Sequence, residues 1–189
     1  MARDAIRQLM RRKMARKAAP KRARRSPAKS KNPLVGIVMG SQSDWETMRH
    51  AADTLKKLRI PNEVAVHSAH RTPERLIDWI KDVEGRGAKV FIAGAGMAAA
   101  LPGVVAATTA KPVFGCPMET RVMGGMDSVL SMVQMPGGIP VGVLAVGRAG
   151  AVNAALLSAA VLALTDDKIA KAVDKFRADQ TKAVPRTPN

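Results

Sequence analysis

From residue 33 onward, short uninterrupted apolar runs alternate with longer amphipathic stretches. This is how a parallel sheet with crossover helices reads, because its strands are buried on both faces while each helix hides only one. Residues 34–39 (LVGIVM) form the first run. Trp45, Met48, Ala52 and Leu55 then recur at spacings of three and four, predicting a helix over about 43–58 that stops before Pro61. Residues 63–67 (EVAVH) predict a second strand, and Pro73 opens a helix with Leu76, Ile77, Ile80 and Val83 inside, ended by Gly85 and Gly87. The unit repeats with strands at 89–93, 112–115 and 141–146 and helices at 101–108, 126–133, 151–164 and 167–181.

Five strands interleaved with helices predict a three-layer α/β sandwich with a central parallel five-stranded sheet, most simply of flavodoxin-like order. The expected division is a basic tail at 1–32, an α/β domain at 33–184 and a short tail at 185–189. The net charge is +16, but residues 1–32 alone hold 13 Lys/Arg and one acid, Asp4. The tail is rich in Lys, Arg, Ala, Ser and Pro, with too little apolar surface to offset ordering entropy, and is expected to be disordered. It reads as an electrostatic tail, as a weak attractor of RNA, DNA or an anionic membrane, or as an organelle-targeting presequence in a eukaryotic host. A polyanion-binding protein acting through this tail is a function of a different class from catalysis.

No apolar run approaches the roughly 20 residues of a membrane span. A single cysteine, Cys116, excludes an intramolecular disulfide framework and suits a reducing, cytoplasmic setting. Aromatic residues are 3% of the chain and tyrosine is absent, which leaves little for stacking nucleobases.

Ligands of such sheets bind beyond the carboxyl ends of the strands, and three of those ends carry reactive residues. The first, Gly40-Ser41-Gln42-Ser43-Asp44, sets hydroxyls and backbone N–H groups at a helix start, a phosphate-site design. Ser43 with Glu46 also reads as a capping box. The second, Ser68-Ala69-His70-Arg71-Thr72-Pro73, has Thr72 as an expected cap, but capping explains neither His70 nor Arg71. Histidine titrates near neutrality and moves protons, and the arginine fork pairs with phosphate. The third is Gly94-Ala95-Gly96-Met97, where backbone amides are open to close approach. His50, His67 and Cys116 read as structural, and the glycine-rich residues 135–140 as a lid or a loop.

GSQSDW (40–45), SAHRTP (68–73), AGAG (93–96), ALPG (100–103) and QMPGGIPVG (134–142), in this order and spacing, resemble the bacterial class I PurE family, the 5-(carboxyamino)imidazole ribonucleotide mutases of purine synthesis. The resemblance covers about residues 33–184. It implies a homo-octamer that uses no metal and no organic cofactor. It also implies a ribonucleotide substrate whose N-linked carboxylate is lost as carbon dioxide and reattached to carbon. By this match His70 shuttles the proton, Ser41, Ser43 and Arg71 hold the phosphate, and Asp44 holds the sugar hydroxyls. Ser68, Ala95, Gly96, Met97 and Leu101 complete the pocket, and MPGG closes over the substrate's imidazole from an adjoining subunit. Two positions depart from the pattern: Ala100 replaces a histidine, and Met97 stands where glycine is usual. Both bear on the reaction subtype, for which direct carboxylation of aminoimidazole ribonucleotide with carbon dioxide is the alternative.

Overall fold

The computed structural model describes residues 31–187. The expected disordered segment therefore lies, but for Lys31 and Asn32, outside the described residues. Five parallel strands, β1 (Val35–Met39), β2 (Asn62–Val66), β3 (Val90–Ala95), β4 (Val113–Pro117) and β5 (Gly142–Val143), pair in the order β2-β1-β3-β4-β5. Every residue of β1, β3 and β4 is buried, which is why these strands read as continuous apolar runs rather than as alternation.

Among the described residues six α-helices cover the two faces: α1 (Trp45–Lys57), α2 (Pro73–Gly85), α3 (Leu101–Thr108), α4 (Met126–Val133), α5 (Gly147–Ala163) and α6 (Asp167–Ala183). One core joins Ile37, Met39 and Ile92 of the sheet to Met48, Ala51 and Leu55 of α1, the alanine face of α5 and Ile169 of α6. The other joins Val38, Phe91 and Ala93 to Leu76 and Ile80 of α2, Val105 of α3 and Met132 of α4. Each fully buried Leu, Ile or Met contributes about 1.5–3 kcal/mol. Asp166 caps α6 by accepting from the N–H groups of Lys168 and Ile169 at 2.9 and 3.2 Å.

Two expectations shift at the far edge. The strand expected over 141–146 pairs only at Gly142 and Val143, because the chain then leaves the sheet to start a helix. That helix begins at Gly147, four residues before the alanine run that suggested it. Glycine's low helix propensity argues for a later start. Gly150 is needed for packing instead: a Cβ there would lie 1.7 Å from the Ala145 carbonyl oxygen. Among the described residues no helix is long and apolar enough to cross a membrane.

Candidate active site

With β1 flanked by β2 and β3, the chain leaves β1 toward one edge and β3 toward the other. Sheets of this order carry their ligand crevice at the carboxyl ends of these strands, and the three motif-bearing loops follow those ends.

The loop after β1 folds into a single 3-10 turn, Gln42–Asp44. Its capping box uses Ser41 and Asp44, not the expected Ser43 and Glu46. The Ser41 hydroxyl accepts from the Ser43 N–H at 3.3 Å, and the Asp44 carboxylate accepts from the Ser41 N–H at 3.1 Å. The extra turn ahead of α1 moves the box two residues earlier. The Ser43 hydroxyl donates to Ser41 Oγ at 2.9 Å, so both hydroxyls are held together at the rim. Burial raises the proton affinity of Asp44, against the opposing pull of its hydrogen bonds from Ser41 and Ser43.

In the loop after β2, Thr72 occupies the cap position of α2 without a side-chain bond to the helix. Its hydroxyl instead accepts from the Ser68 N–H and donates to the Ser68 carbonyl, at 3.0 and 3.2 Å, closing the loop on itself. Ser68 Oγ accepts from the Arg71 N–H at 3.2 Å and from Arg71 Nε at 3.4 Å. Arg71 Nη2 donates to the Gly40 carbonyl at 3.4 Å, which ties this loop to the first. His70 and Arg71 are both exposed at the crevice mouth.

The third loop is fastened from a helix that the sequence reading did not assign to the site. The Met97 N–H donates to Ser128 Oγ at 3.1 Å, and its carbonyl accepts from Ser131 Oγ at 3.0 Å. Ser128 is fully buried and donates in turn to the Met118 carbonyl at 2.9 Å. The only trace of this clamp in the sequence is two serines three apart on one helix. Met97 itself has φ of +61°, in the left-handed region that favours glycine, and is 70% exposed. Ala95 is buried in β3, Gly96 is partly open, and Leu101 is buried in the α2–α3 core and presents little surface to the crevice. A Cβ at Gly94 would meet Met48 Sδ at 2.4 Å, so any side chain there would force the buried Met48 to shift.

The residues read as structural lie beneath these loops: the His67 N–H donates to the Met39 carbonyl at 3.0 Å, and Cys116 pairs in register with Gly94. His67 packs at a tilt of 49° against Trp79 with ring centroids 5.7 Å apart, and its Nδ1 is buried without a partner among the described residues. Burial, then the nearby Arg75 charge, lowers its proton affinity. Cys116 is buried, and burial chiefly pushes its thiol up to about 12, so it is no nucleophile at neutral pH. Among the described residues no three His, Cys, Asp or Glu side chains gather to hold a metal ion. The arrangement gathers two serine hydroxyls, a carboxylate and an arginine at one sheet edge, with the exposed His70 next to Arg71 in the second loop.

The family model described as AIR carboxylase matches residues 34–183. The N5-carboxyaminoimidazole ribonucleotide mutase of Brucella melitensis is 59% identical over 155 residues, covering 82% of this chain and 96% of that protein. That of Pseudomonas aeruginosa is 54% identical over 156 residues, with the same two coverages, 82% and 96%. The solved structure of Treponema denticola PurE superimposes with a TM-score of 0.73 at 32% identity, over 80% of this chain and 93% of that one. The matched span contains all five strands and every loop of the crevice, and the chain belongs to the AIR carboxylase family.

Proposed function

We propose that the chain isomerises 5-(carboxyamino)imidazole ribonucleotide to 4-carboxy-5-aminoimidazole ribonucleotide, the activity named for its relatives in Brucella and Pseudomonas. The observation that carries the reading is the Arg71–Gly40 bond, which holds the serine loop and the histidine loop at one crevice. Ser41, Ser43 and Arg71 hold the ribose phosphate, Asp44 the sugar hydroxyls, and Ser68 with the third loop (Ala95, Gly96, Met97) and the underlying Leu101 shapes the pocket. His70 protonates the carbamate nitrogen as the N–C bond breaks and carbon dioxide departs. The imidazole carbon C4 then attacks the carbon dioxide, and His70 takes back the C4 proton. One proton is given and one recovered, so no cofactor is required.

Residues 33–184 form the catalytic unit, with 1–32 and 185–189 as tails. In the same reading the enzyme acts in the cytoplasm as a homo-octamer, and the basic segment attracts polyanions weakly.

The test is turnover of purified protein with each candidate substrate. Conversion of the carbamate without added bicarbonate is the expected result. Ala100→His should then reduce leakage to free aminoimidazole ribonucleotide, because it places a polar group beside the carbon dioxide site. Product formed only from aminoimidazole ribonucleotide at high carbon dioxide, with the carbamate inert, would overturn the reading.

A further inference from the structure

Ser128 of α4 is fully buried, so its hydroxyl reaches neither solvent nor a ligand. Both of its hydrogen-bonding capacities are spent on backbone: it accepts from the Met97 N–H at 3.1 Å and donates to the Met118 carbonyl at 2.9 Å. The Met118 N–H donates in turn to the Ala95 carbonyl at 2.9 Å. Ser128 thereby closes a ring through Ala95, Met118 and Met97 that fixes residue 97 against the ends of β3 and β4. Ser131 adds less, because its one proton is shared between the Met97 carbonyl at 3.0 Å and the nearer Asp127 carbonyl at 2.7 Å.

The ring holds a backbone conformation that a residue with a Cβ disfavours, since Met97 sits in the left-handed region with its side chain exposed. It also holds Gly96, which lies so close to Met118 that a Cβ there would come within 3.1 Å of Met118 Cβ. The Met97 N–H, spent on Ser128, has nothing left for a ligand. The N–H groups of Gly96 and Ala98 on either side of it have no hydrogen-bond partner among the described residues. Gly96 is half-buried and Ala98 exposed. The loops after β1 and β2 carry the groups assigned above to phosphate and sugar, which leaves this third loop for the imidazole and the carboxyl group that moves.

We propose that Ser128 is a positioning residue for the carboxyl transfer: by pinning Met97 it keeps the Gly96 and Ala98 N–H groups in place for the oxygens of the migrating carboxyl group. The inference rests on the catalytic reading above and adds to it a residue that never touches the substrate. Its consequence is retention. Between the breaking of one bond and the making of the next, carbon dioxide is held by weak contacts alone, so a slackened loop costs rate and lets the gas escape before C4 attacks it.

The experiment compares Ser128→Ala and Ser128→Cys with the parent and with Ser158→Ala, all in the full chain. Ser158 is the matched control: it is equally buried, but it lies in α5 and donates only within its own helix, to the Ala154 carbonyl at 2.7 Å. Each protein is given the carbamate substrate without bicarbonate, well below its melting temperature. Product and free aminoimidazole ribonucleotide are both measured above the enzyme-free background. Ser128→Ala is expected to lower kcat by about 10–100-fold, as a small misplacement of groups around the reacting centre does. KM should stay within about threefold, because the phosphate and sugar contacts are untouched, and the share released as free aminoimidazole ribonucleotide should rise. Ser128→Cys, whose thiol is a weaker donor and acceptor, should fall between alanine and parent. Ser158→Ala should keep the parental kcat and product share. A Ser128→Ala protein that melts earlier but keeps the parental kcat and product share overturns the proposal, since the serine then only packs. So does a raised KM at unchanged kcat, or an equal loss of kcat in Ser158→Ala. A parent that leaves the carbamate inert but carboxylates aminoimidazole ribonucleotide would correct the reaction assigned above. The same loss of kcat in Ser128→Ala is then expected with that substrate and bicarbonate, and its absence there overturns the role of Ser128.

Discussion

Arg71 donates from Nη2 to the Gly40 carbonyl oxygen across 3.4 Å, and from Nε to Ser68 Oγ across the same distance. One guanidinium thus registers two loops whose strands, β1 and β2, are neighbours in the sheet. Arg71→Ala should weaken ribonucleotide binding by on the order of 1.5–3 kcal/mol, the range for a charge-assisted hydrogen bond. Arg71→Lys should recover only part of this, since an ammonium cannot span two acceptors in a fork. Calorimetric titration with the nucleotide checks both, and an unchanged affinity in the alanine variant would place the phosphate elsewhere.

His70→Asn should lower turnover by about 10²–10⁴, the usual contribution of a positioned acid–base group. Nucleotide affinity should stay within a few-fold of the parent because the anion cradle is untouched. The side chain is exposed, so the melting temperature should not move. Near-parental turnover would remove His70 from the chemistry.

Met97→Gly should raise the urea midpoint. A non-glycine residue in the left-handed region is disfavoured by about 1–2 kcal/mol, and glycine's extra freedom in the unfolded chain takes back roughly 0.5–1 of that. Met97→Val should lower the midpoint, since branching at Cβ worsens the clash. A loss of stability in the glycine variant would show that the exposed thioether packs on its surroundings after all.

His67 gives stability a pH dependence of definite sign. Its proton affinity in the fold lies below that of an ordinary histidine, mainly through burial. As pH falls below about 6.5 the unfolded chain binds the proton first, so stability is full above that value and declines through the acid side. His67→Phe keeps an aromatic ring against Trp79 without a titrating nitrogen. Urea midpoints between pH 5 and 8 should therefore fall less steeply in the variant, and identical slopes would refute the assignment.

The order of strands and helices was legible because burial on both faces forces apolar continuity on β1, β3 and β4. The edges were less so. At β5 the residues that look like strand are half-buried side chains of a turning chain, and at α5 glycine's backbone penalty concealed a helix start that tight packing demands. In the site, hydroxyls, carboxylate, histidine and arginine were visible as residue types that a sheet edge does not need. What joins them was not. The Thr72–Ser68 closure, the Arg71–Gly40 bridge and the Ser128–Met97 clamp link residues through backbone carbonyls and amides, which every residue carries and no side-chain pattern marks.

The sheet is also unevenly sewn. Val35–Met39 pairs along its whole length with both neighbours, whereas β5 meets β4 only at Gly142 and Val143. In amide exchange with heavy water this should make a graded molecule, the protons of β1 and β3 escaping only when the whole domain opens and those of β5 through local fraying. The crevice hangs from the slow half. The far edge, paired at two positions only, is expected to fray first, while the serine, histidine and arginine loops keep their places.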